Sequence, residues 1–304
     1  MAILRDLQAR LSGRVRSSVS LRKHTTWRVG GPAEILVEPT GIEDLRLVLQ
    51  YARERGIPLT VVGNGSNLLI SDQGLNGIVV KLGSEMSRIE IGEGFIEVEA
   101  GAKLANILAA AREAGCGGLE FMAGIPASVG GAVAMNAGAN GSSIGDRVLE
   151  ATVVDLDGKI HLRSHDELGF GYRTCALQDT PAIVVSVKFG CFPKSAAAIR
   201  AEVEQYLARR KQTQPLEYPS AGSVFRNPPG GAAGRLIELA GAKGMRIGDA
   251  EVSRKHANFI VNLGAAKSRD IRQLMLQVQK LVNEHTGIWL EPEVKLLGKH
   301  EAIE

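Results

Sequence analysis
The chain has 304 residues, 44% of them hydrophobic and only 4% aromatic, which predicts about two domains with aliphatic cores. Its 36 basic and 33 acidic residues leave a net charge of +3, too balanced for a nucleic-acid-binding face and better suited to a small anionic ligand. No window approaches the roughly 18 apolar residues of a membrane span. The N-terminus carries Asp6 and no signal-peptide core. Cys116, Cys175 and Cys191 are odd in number and match no metal spacing, so the expectation is a cytoplasmic α/β protein with reduced thiols and no metal.

Residues 1 to about 20 hold a short amphipathic helix signal (Ile3, Leu4, Leu7, Leu11) ending near Gly13. Gly30-Gly31-Pro32 forces a turn before a strand at Ala33–Glu38. Thr40 and Glu43 have capping-box spacing and open a helix with Ile42, Leu45, Val48, Leu49 and Ala52 on one face, stopped by Gly56. Pro58–Val62 reads as a buried strand and Ile78–Leu82 as another. Ile89, Ile91, Ile96 and Val98 alternate around Gly92-Glu93-Gly94, a hairpin pattern, before a helix carrying Leu104, Ile107, Leu108 and Ala111 and closed by Gly115. Asp157-Gly158 is a two-residue hairpin signal between Val153–Leu156 and Lys159–Leu162, and Ile183–Phe189 is an apolar strand. A helix from Ser195 to about Arg210 turns Ile199, Val203, Tyr206 and Leu207 inward, and a proline cluster follows, so a domain boundary is expected around 194–215. The last unit holds Arg235–Ala240, a strand at Phe259–Asn262, and a helix from Ser268 with Ile271, Leu274, Val278, Leu281 and Val282 inward. A final strand, Ile288–Leu297, puts Ile288, Leu290, Val294 and Leu296 on one face.

Two glycine loops stand out. Gly63-Asn64-Gly65-Ser66-Asn67 follows a strand, but Leu68 stands where a dinucleotide fingerprint wants its third glycine, and the next residues do not start a helix. A phosphate nest of backbone N–H groups, helped by the Asn64, Ser66 and Asn67 side chains, is the alternative to an ordinary tight turn. The uncharged run from Gly124 to Gly141 lets a backbone approach a ligand, or two elements pack closely. Ser128, Asn136 and Asn140 within it need partners, which a flavin ring or pyrophosphate would supply. Arg173, beside Tyr172, is able to clamp a carboxylate or to serve as a surface arginine. Ser223 lies in a turn-rich loop, and Glu293 follows Pro292 in a strand, a position that argues for an edge or bulge.

Taken together, Thr25-Thr-Trp-Arg-Val-Gly-Gly31, Gly63-Asn-Gly-Ser-Asn-Leu-Leu69, Gly124-Ile-Pro-Ala-Ser-Val-Gly-Gly131 with Asn136-Ala-Gly138, Tyr172-Arg173, Ser220-Ala-Gly-Ser-Val-Phe225 and Glu291-Pro-Glu-Val294 resemble the UDP-N-acetylenolpyruvoylglucosamine reductase family over nearly the whole chain. The resemblance implies a mixed α+β and α/β protein: an FAD-binding fold of the vanillyl-alcohol oxidase type with a C-terminal α/β substrate-binding domain. The domains would be 1–193 (lobes of about 1–83 and 84–193) for FAD and 194–304 for substrate, with the strand at about 288–298 a candidate to return to the FAD part.

The implied reaction reduces the enolpyruvyl group of a UDP-sugar to UDP-N-acetylmuramate, a cell-wall precursor, with NADPH as co-substrate and non-covalent FAD. Carried over, Ser223 is the proton donor, and Arg173 and Glu293 surround the substrate carboxylate. Gly63, Asn64, Gly65, Ser66, Asn67, Leu68, Gly124, Ile125, Pro126, Ser128, Gly130, Gly131, Asn136 and Gly138 form the FAD grip. Tyr172 lies close to substrate, and Arg210 or Lys211 meets the diphosphate. The segment between Tyr172 and Ile183 is too short for the tyrosine-bearing loop of one subgroup, so the chain resembles the shorter one. No obligate protein partner is evident. A flavin oxidase of the same fold, or a non-catalytic flavin-binding protein, are the rival readings.

Overall fold
Glycines and prolines set where many elements stop in the computed structural model, which describes residues 2–178, 180 and 182–300. The chain divides into two units. One comprises Met1–Ser17, Ile35–Asn64 and Gly77–Ala208; the other comprises Ser18–Glu34, Gly65–Asn76 and Arg209–Glu304.

In the first unit the helix Ala2–Arg10 precedes a strand, Arg14–Ser20, that the sequence pattern does not signal because only its Val15 is buried. The next helix, Ile42–Glu54, buries Leu45, Val48, Leu49 and Ala52 as its spacing predicts. Its start differs from the expected Thr40–Glu43 capping box. The Thr40 N–H and hydroxyl donate to Asp44 Oδ2 at 3.0 and 2.8 Å, and the Ser12 N–H donates to Asp44 Oδ1 at 3.0 Å. Asp44 is buried among these donors, whereas Glu43 is exposed and pairs with Arg46. The strand Leu59–Val62 runs parallel to Leu75–Lys81, with Leu59 opposite Ile78. It is half-buried except at Val62, not buried throughout as expected.

An antiparallel sheet takes the order Ile160–Ser164, Val148–Asp155, Ala182–Gly190, Phe95–Glu99, Ile89–Gly92. The Gly92 hairpin forms with Gly92 opposite Phe95. The turn at Asp157-Gly158 is wider than the two residues expected. The Asp155 N–H donates to Lys159 O at 3.0 Å, leaving a three-residue loop with Gly158 at φ +79°. Asp155 Oδ1 accepts the Asp157 and Lys159 N–H groups at 2.9 Å each, so a side chain completes the wider loop. The helices Leu104–Ala114 and Val129–Ala134 join this sheet around a core that includes Ile96, Val98, Leu104, Ile107, Val129, Val133, Val187 and Phe189. The helix Ala196–Thr213 buries only Ile199, and Leu207, expected inward, is 44% exposed. Eight residues after Ile199, it has rotated about 80° away from the buried stripe.

The second unit packs Trp27, Phe225, Ile237, Ile260, Ile271, Leu274, Val278 and Val282 into its own core. Trp27 is fully buried, and its indole N–H donates to Ile260 O at 2.6 Å. The helix Ser268–Thr286 is capped from far along the chain: Asp72 accepts the Ser268 and Arg269 N–H groups at 2.9 and 3.1 Å. Anionic oxygens at that end satisfy orphan donors and suit the helix dipole. Gly287, at φ +70°, ends the helix. The expected strand 288–297 shrinks to Lys295–Leu297, parallel to Leu68–Ile70. Pro292 has no N–H to donate and makes only an isolated bridge to Phe225, which interrupts the ladder. Leu290 and Val294 are buried as expected, but Leu296 is 41% exposed. Among the described residues no helix is long and apolar enough to cross a membrane, and no group of His, Cys, Asp and Glu has metal-holding geometry.

Candidate active site
In the first unit Gly63 ends a strand at a point where a Cβ would fall on Ser128 Oγ. Ser128 precedes the helix Val129–Ala134, and its hydroxyl is buried with no hydrogen-bond partner among the described residues. An unmatched buried hydroxyl costs roughly 1–3 kcal/mol, so the position fits a polar atom supplied by a ligand. Asn64 Nδ2 donates to Pro126 O at 2.6 Å, tying the two glycine loops together.

The small residues of the long run serve different ends. A Cβ on Gly131 would meet Ser128 Oγ at 3.4 Å, whereas on Gly130 it would press on Ala100 at 3.0 Å, the close-packing alternative. On Gly138 it would lie 2.8 Å from Arg173 Nη1, so that glycine makes room for the guanidinium. Asn136 does not need a ligand to satisfy its amide. Its Nδ2 donates to Gly171 O and its Oδ1 accepts the Gly145 N–H, both at 2.8 Å. Asn140 Nδ2 donates to Phe121 O at 3.3 Å. Gly124 turns at φ +76° just before Ile125 and Pro126.

Asn136 thereby holds the first residue of a tight turn. Gly171 and Thr174 exchange N–H···O bonds of 3.0 and 3.2 Å around Tyr172 and Arg173. Arg173 sits at φ +58°, a left-handed conformation uncommon for a bulky side chain. The Arg173 carbonyl accepts from Gln178 Nε2 at 3.1 Å, and its Nη2 donates to Gly138 O at 3.1 Å. The guanidinium lies 5.4 Å from the centre of the exposed Tyr172 ring. Backbone strain kept in place by several contacts is characteristic of functional positions.

In the second unit Gly65 has φ +64°, and a Cβ there would strike His24 O. The Thr26 N–H donates to Gly65 O at 3.2 Å, while Thr26 Oγ1 is buried without a partner among the described residues. Sequence reasoning gave Thr26 no role, although it lies in the Thr25-Thr26-Trp27 motif. Ser66 follows Gly65. Asn67, expected to face phosphate, directs Nδ2 to Glu293 O at 3.0 Å, and its carbonyl accepts the Lys295 N–H at 3.0 Å. Leu68 then pairs with Lys295.

The Glu293 N–H donates to Val224 O at 2.7 Å, so the structure brings Ser223 and Glu293 onto adjacent backbone segments. The Ser223 hydroxyl is half-buried and has no hydrogen bond among the described residues; Gly222 before it has φ +76°. Arg210 is half-buried with no ion pair among the described residues, and burial pushes its guanidinium below the usual value. Lys211 is exposed, and its carbonyl accepts from Lys255 Nζ at 2.6 Å. Arg173 and Tyr172 belong to the first unit, and Ser223, Glu293, Arg210 and Lys211 to the second.

The family model for an FAD binding domain matches residues 33–163, and that for the UDP-N-acetylenolpyruvoylglucosamine reductase C-terminal domain matches 214–297. A UDP-N-acetylenolpyruvoylglucosamine reductase of Moorella thermoacetica is 46% identical over 298 residues, 98% of each chain. The chain belongs to the UDP-N-acetylenolpyruvoylglucosamine reductase family. A second reductase of that name, from Symbiobacterium thermophilum, is 46% identical over 98% of this chain and 95% of its own. The crystal structure of the Thermus caldophilus reductase superimposes with a TM-score of 0.83 at 38% identity, covering 94% of this chain and 100% of that one. The FAD-binding model spans both glycine loops, and the reductase model spans Ser223 and Glu293. Tyr172, Arg173, Arg210 and Lys211 fall between the two matched ranges.

Proposed function
We propose that this protein reduces the enolpyruvyl group of UDP-N-acetylenolpyruvoylglucosamine to give UDP-N-acetylmuramate, a peptidoglycan precursor, with NADPH as reductant and bound FAD. The observation that carries this reading is 46% identity over 98% of both chains to a reductase of that name. FAD, when bound, accepts electrons from NADPH and passes them to the substrate double bond. Gly63, Gly65, Ser66, Leu68, Gly124, Ile125, Pro126 and Gly131 would lie along it, with the unmatched Ser128 hydroxyl as a polar contact.

The Arg173 guanidinium binds the substrate carboxylate and offsets the negative charge that reduction drives onto it. Glu293 would share a hydrogen bond with the same oxygens. Ser223 Oγ gives a proton to C2 of the enolpyruvyl group. A hydroxyl is a weak acid, but the carbon it serves has become strongly basic, and the side chain has no competing protein partner among the described residues. Arg210 keeps its charge despite burial and fits the diphosphate, with Lys211 next to it and Tyr172 close to the substrate. Residues 1–193 would form the FAD-binding part and 194–304 the substrate part. A cytoplasmic location would keep the thiols of Cys116, Cys175 and Cys191 out of disulfides.

The test is a two-step colour experiment on purified protein. NADPH should bleach the bound flavin and the enolpyruvyl nucleotide should restore it. Ser223→Ala should bleach normally and recover slowly, by a factor of about 100 or more if general acid catalysis is lost. Equal loss of both steps would reject Ser223 as the donor, and recovery as fast with air as with the nucleotide would favour an oxidase.

A further inference from the structure
Ser223 stands on a segment that no long strand supports. Ser220 pairs with Val261 and Phe225 with Pro292, each through a single bridge. The bonds of the Phe225–Pro292 bridge run between flanking residues, Glu293 N–H to Val224 O at 2.7 Å and Arg226 N–H to Glu291 O at 2.9 Å, so that strand cannot pair the Phe225 N–H and C=O, which face away from it. Asn258 does so instead. Its Oδ1 accepts the Phe225 N–H at 3.0 Å, its Nδ2 donates to Phe225 O at 2.8 Å, and its own carbonyl accepts the Val224 N–H at 2.9 Å. Of the four polar backbone atoms of Val224 and Phe225, Asn258 therefore binds three; the fourth, Val224 O, accepts the Glu293 N–H at 2.7 Å. Asn258 is 4% exposed, and its N–H donates to His256 Nδ1 at 3.3 Å. The amide of one buried side chain thus takes the place of a strand immediately after Ser223 and across from Glu293.

We infer that Asn258 is a positioning residue for the reduction step: by clamping Val224 and Phe225 it fixes where the Ser223 hydroxyl and the Glu293 carboxyl point. This rests on the reading of Ser223 as proton donor. Both polar atoms of the buried Asn258 amide are taken up by Phe225, so its role runs through the backbone it holds. A displacement of about 1 Å in a reacting group can cost on the order of 100-fold in rate. Removing the clamp should therefore slow the substrate step and spare the NADPH step.

The experiment uses the full-length FAD-loaded protein with Asn258→Ala, Asn258→Asp, Ser223→Ala and the Ser223→Ala/Asn258→Ala double variant. Asn258→Asp keeps the acceptor and the shape but, when ionised, loses the donor to Phe225, so it serves if the alanine variant does not fold. Stopped-flow absorbance follows bleaching by NADPH and recovery with the enolpyruvyl nucleotide, and hydrogen exchange follows the Val224 and Phe225 amides. Expected are recovery slowed about 10- to 100-fold in Asn258→Ala, bleaching within about twofold of wild type, and faster exchange at those amides. The double variant should recover more slowly than Ser223→Ala by much less than the full Asn258→Ala factor, because only the share acting through Glu293 is left to lose. Wild-type recovery in both Asn258 variants, or a double variant slower by the full Asn258→Ala factor, overturns the inference while leaving the donor reading intact. If Ser223→Ala itself recovers at the wild-type rate, the donor reading fails and this inference fails with it.

Discussion

Asn136 links the glycine-rich run to the turn that carries Arg173, so replacing it tests whether that turn is held from beneath. Asn136→Ala strands the buried Gly145 N–H, bonded to the amide at 2.8 Å, and takes one of two donors from the Gly171 carbonyl, which keeps the Thr174 N–H at 3.2 Å. Each unmatched buried group costs roughly 1–3 kcal/mol. Asn136 also lies at φ +41°, where an alanine costs about 1–2 kcal/mol that glycine does not. With one stranded group, the sum for Asn136→Ala is about 3.5 kcal/mol, and for Asn136→Gly about 2 kcal/mol. Urea unfolding of the flavin-loaded protein measures both, and stopped-flow recovery with the nucleotide should slow in each, because Asn136 no longer holds Gly171 at the base of the Tyr172-Arg173 turn. An alanine variant within about 0.5 kcal/mol of wild type would refute the buried-amide argument. Equal stability of the alanine and glycine variants would refute the backbone part of it.

Ser128→Ala should act with opposite signs on the empty and loaded protein. It removes a buried hydroxyl that has no partner among the described residues, so stability without flavin stays level or rises, while flavin binding weakens about 2- to 10-fold. Equal flavin affinity in a fluorescence titration would remove Ser128 from the cofactor grip. Asp44 sets a pH prediction. Burial raises its carboxyl, but the Thr40 and Ser12 N–H groups and the Thr40 hydroxyl outweigh this and hold it below the ordinary carboxylate value. A lowered folded value means that its stabilisation is complete above the unfolded value of about 3.9 and is lost as pH falls through the folded one. Asp44→Asn should thus be less stable near neutrality and lose less on acidification. Parallel stability curves for the two proteins between neutrality and acid would contradict this.

Local chemistry was enough to place much of the fold. The apolar periods of Leu45–Ala52 and Leu104–Ala111, and the glycines Gly56 and Gly115 at positive φ, are short-range signals that the structure follows. The ordered set of motifs was also legible, because glycine loops, a Tyr-Arg pair and a Pro-Glu step keep their identity however the chain bends. What the sequence by itself could not determine is which partner each polar side chain takes. Asp72 caps a helix that begins 196 residues later, Asn67 holds Glu293 across 226, and Asn258 completes a strand for Phe225 across 33. Hydrogen bonds reward proximity in space, and no residue pattern within a few turns records it. The same physics shortened the last strand, where Pro292 withholds a donor and the ladder resumes only once Lys295 meets Leu68. Composition and spacing therefore decided which elements form and which residues were candidates. Tertiary packing alone decided that Asn136 serves protein while Ser128 stays unmatched, because burial deprives both of water and only one finds a backbone partner within reach.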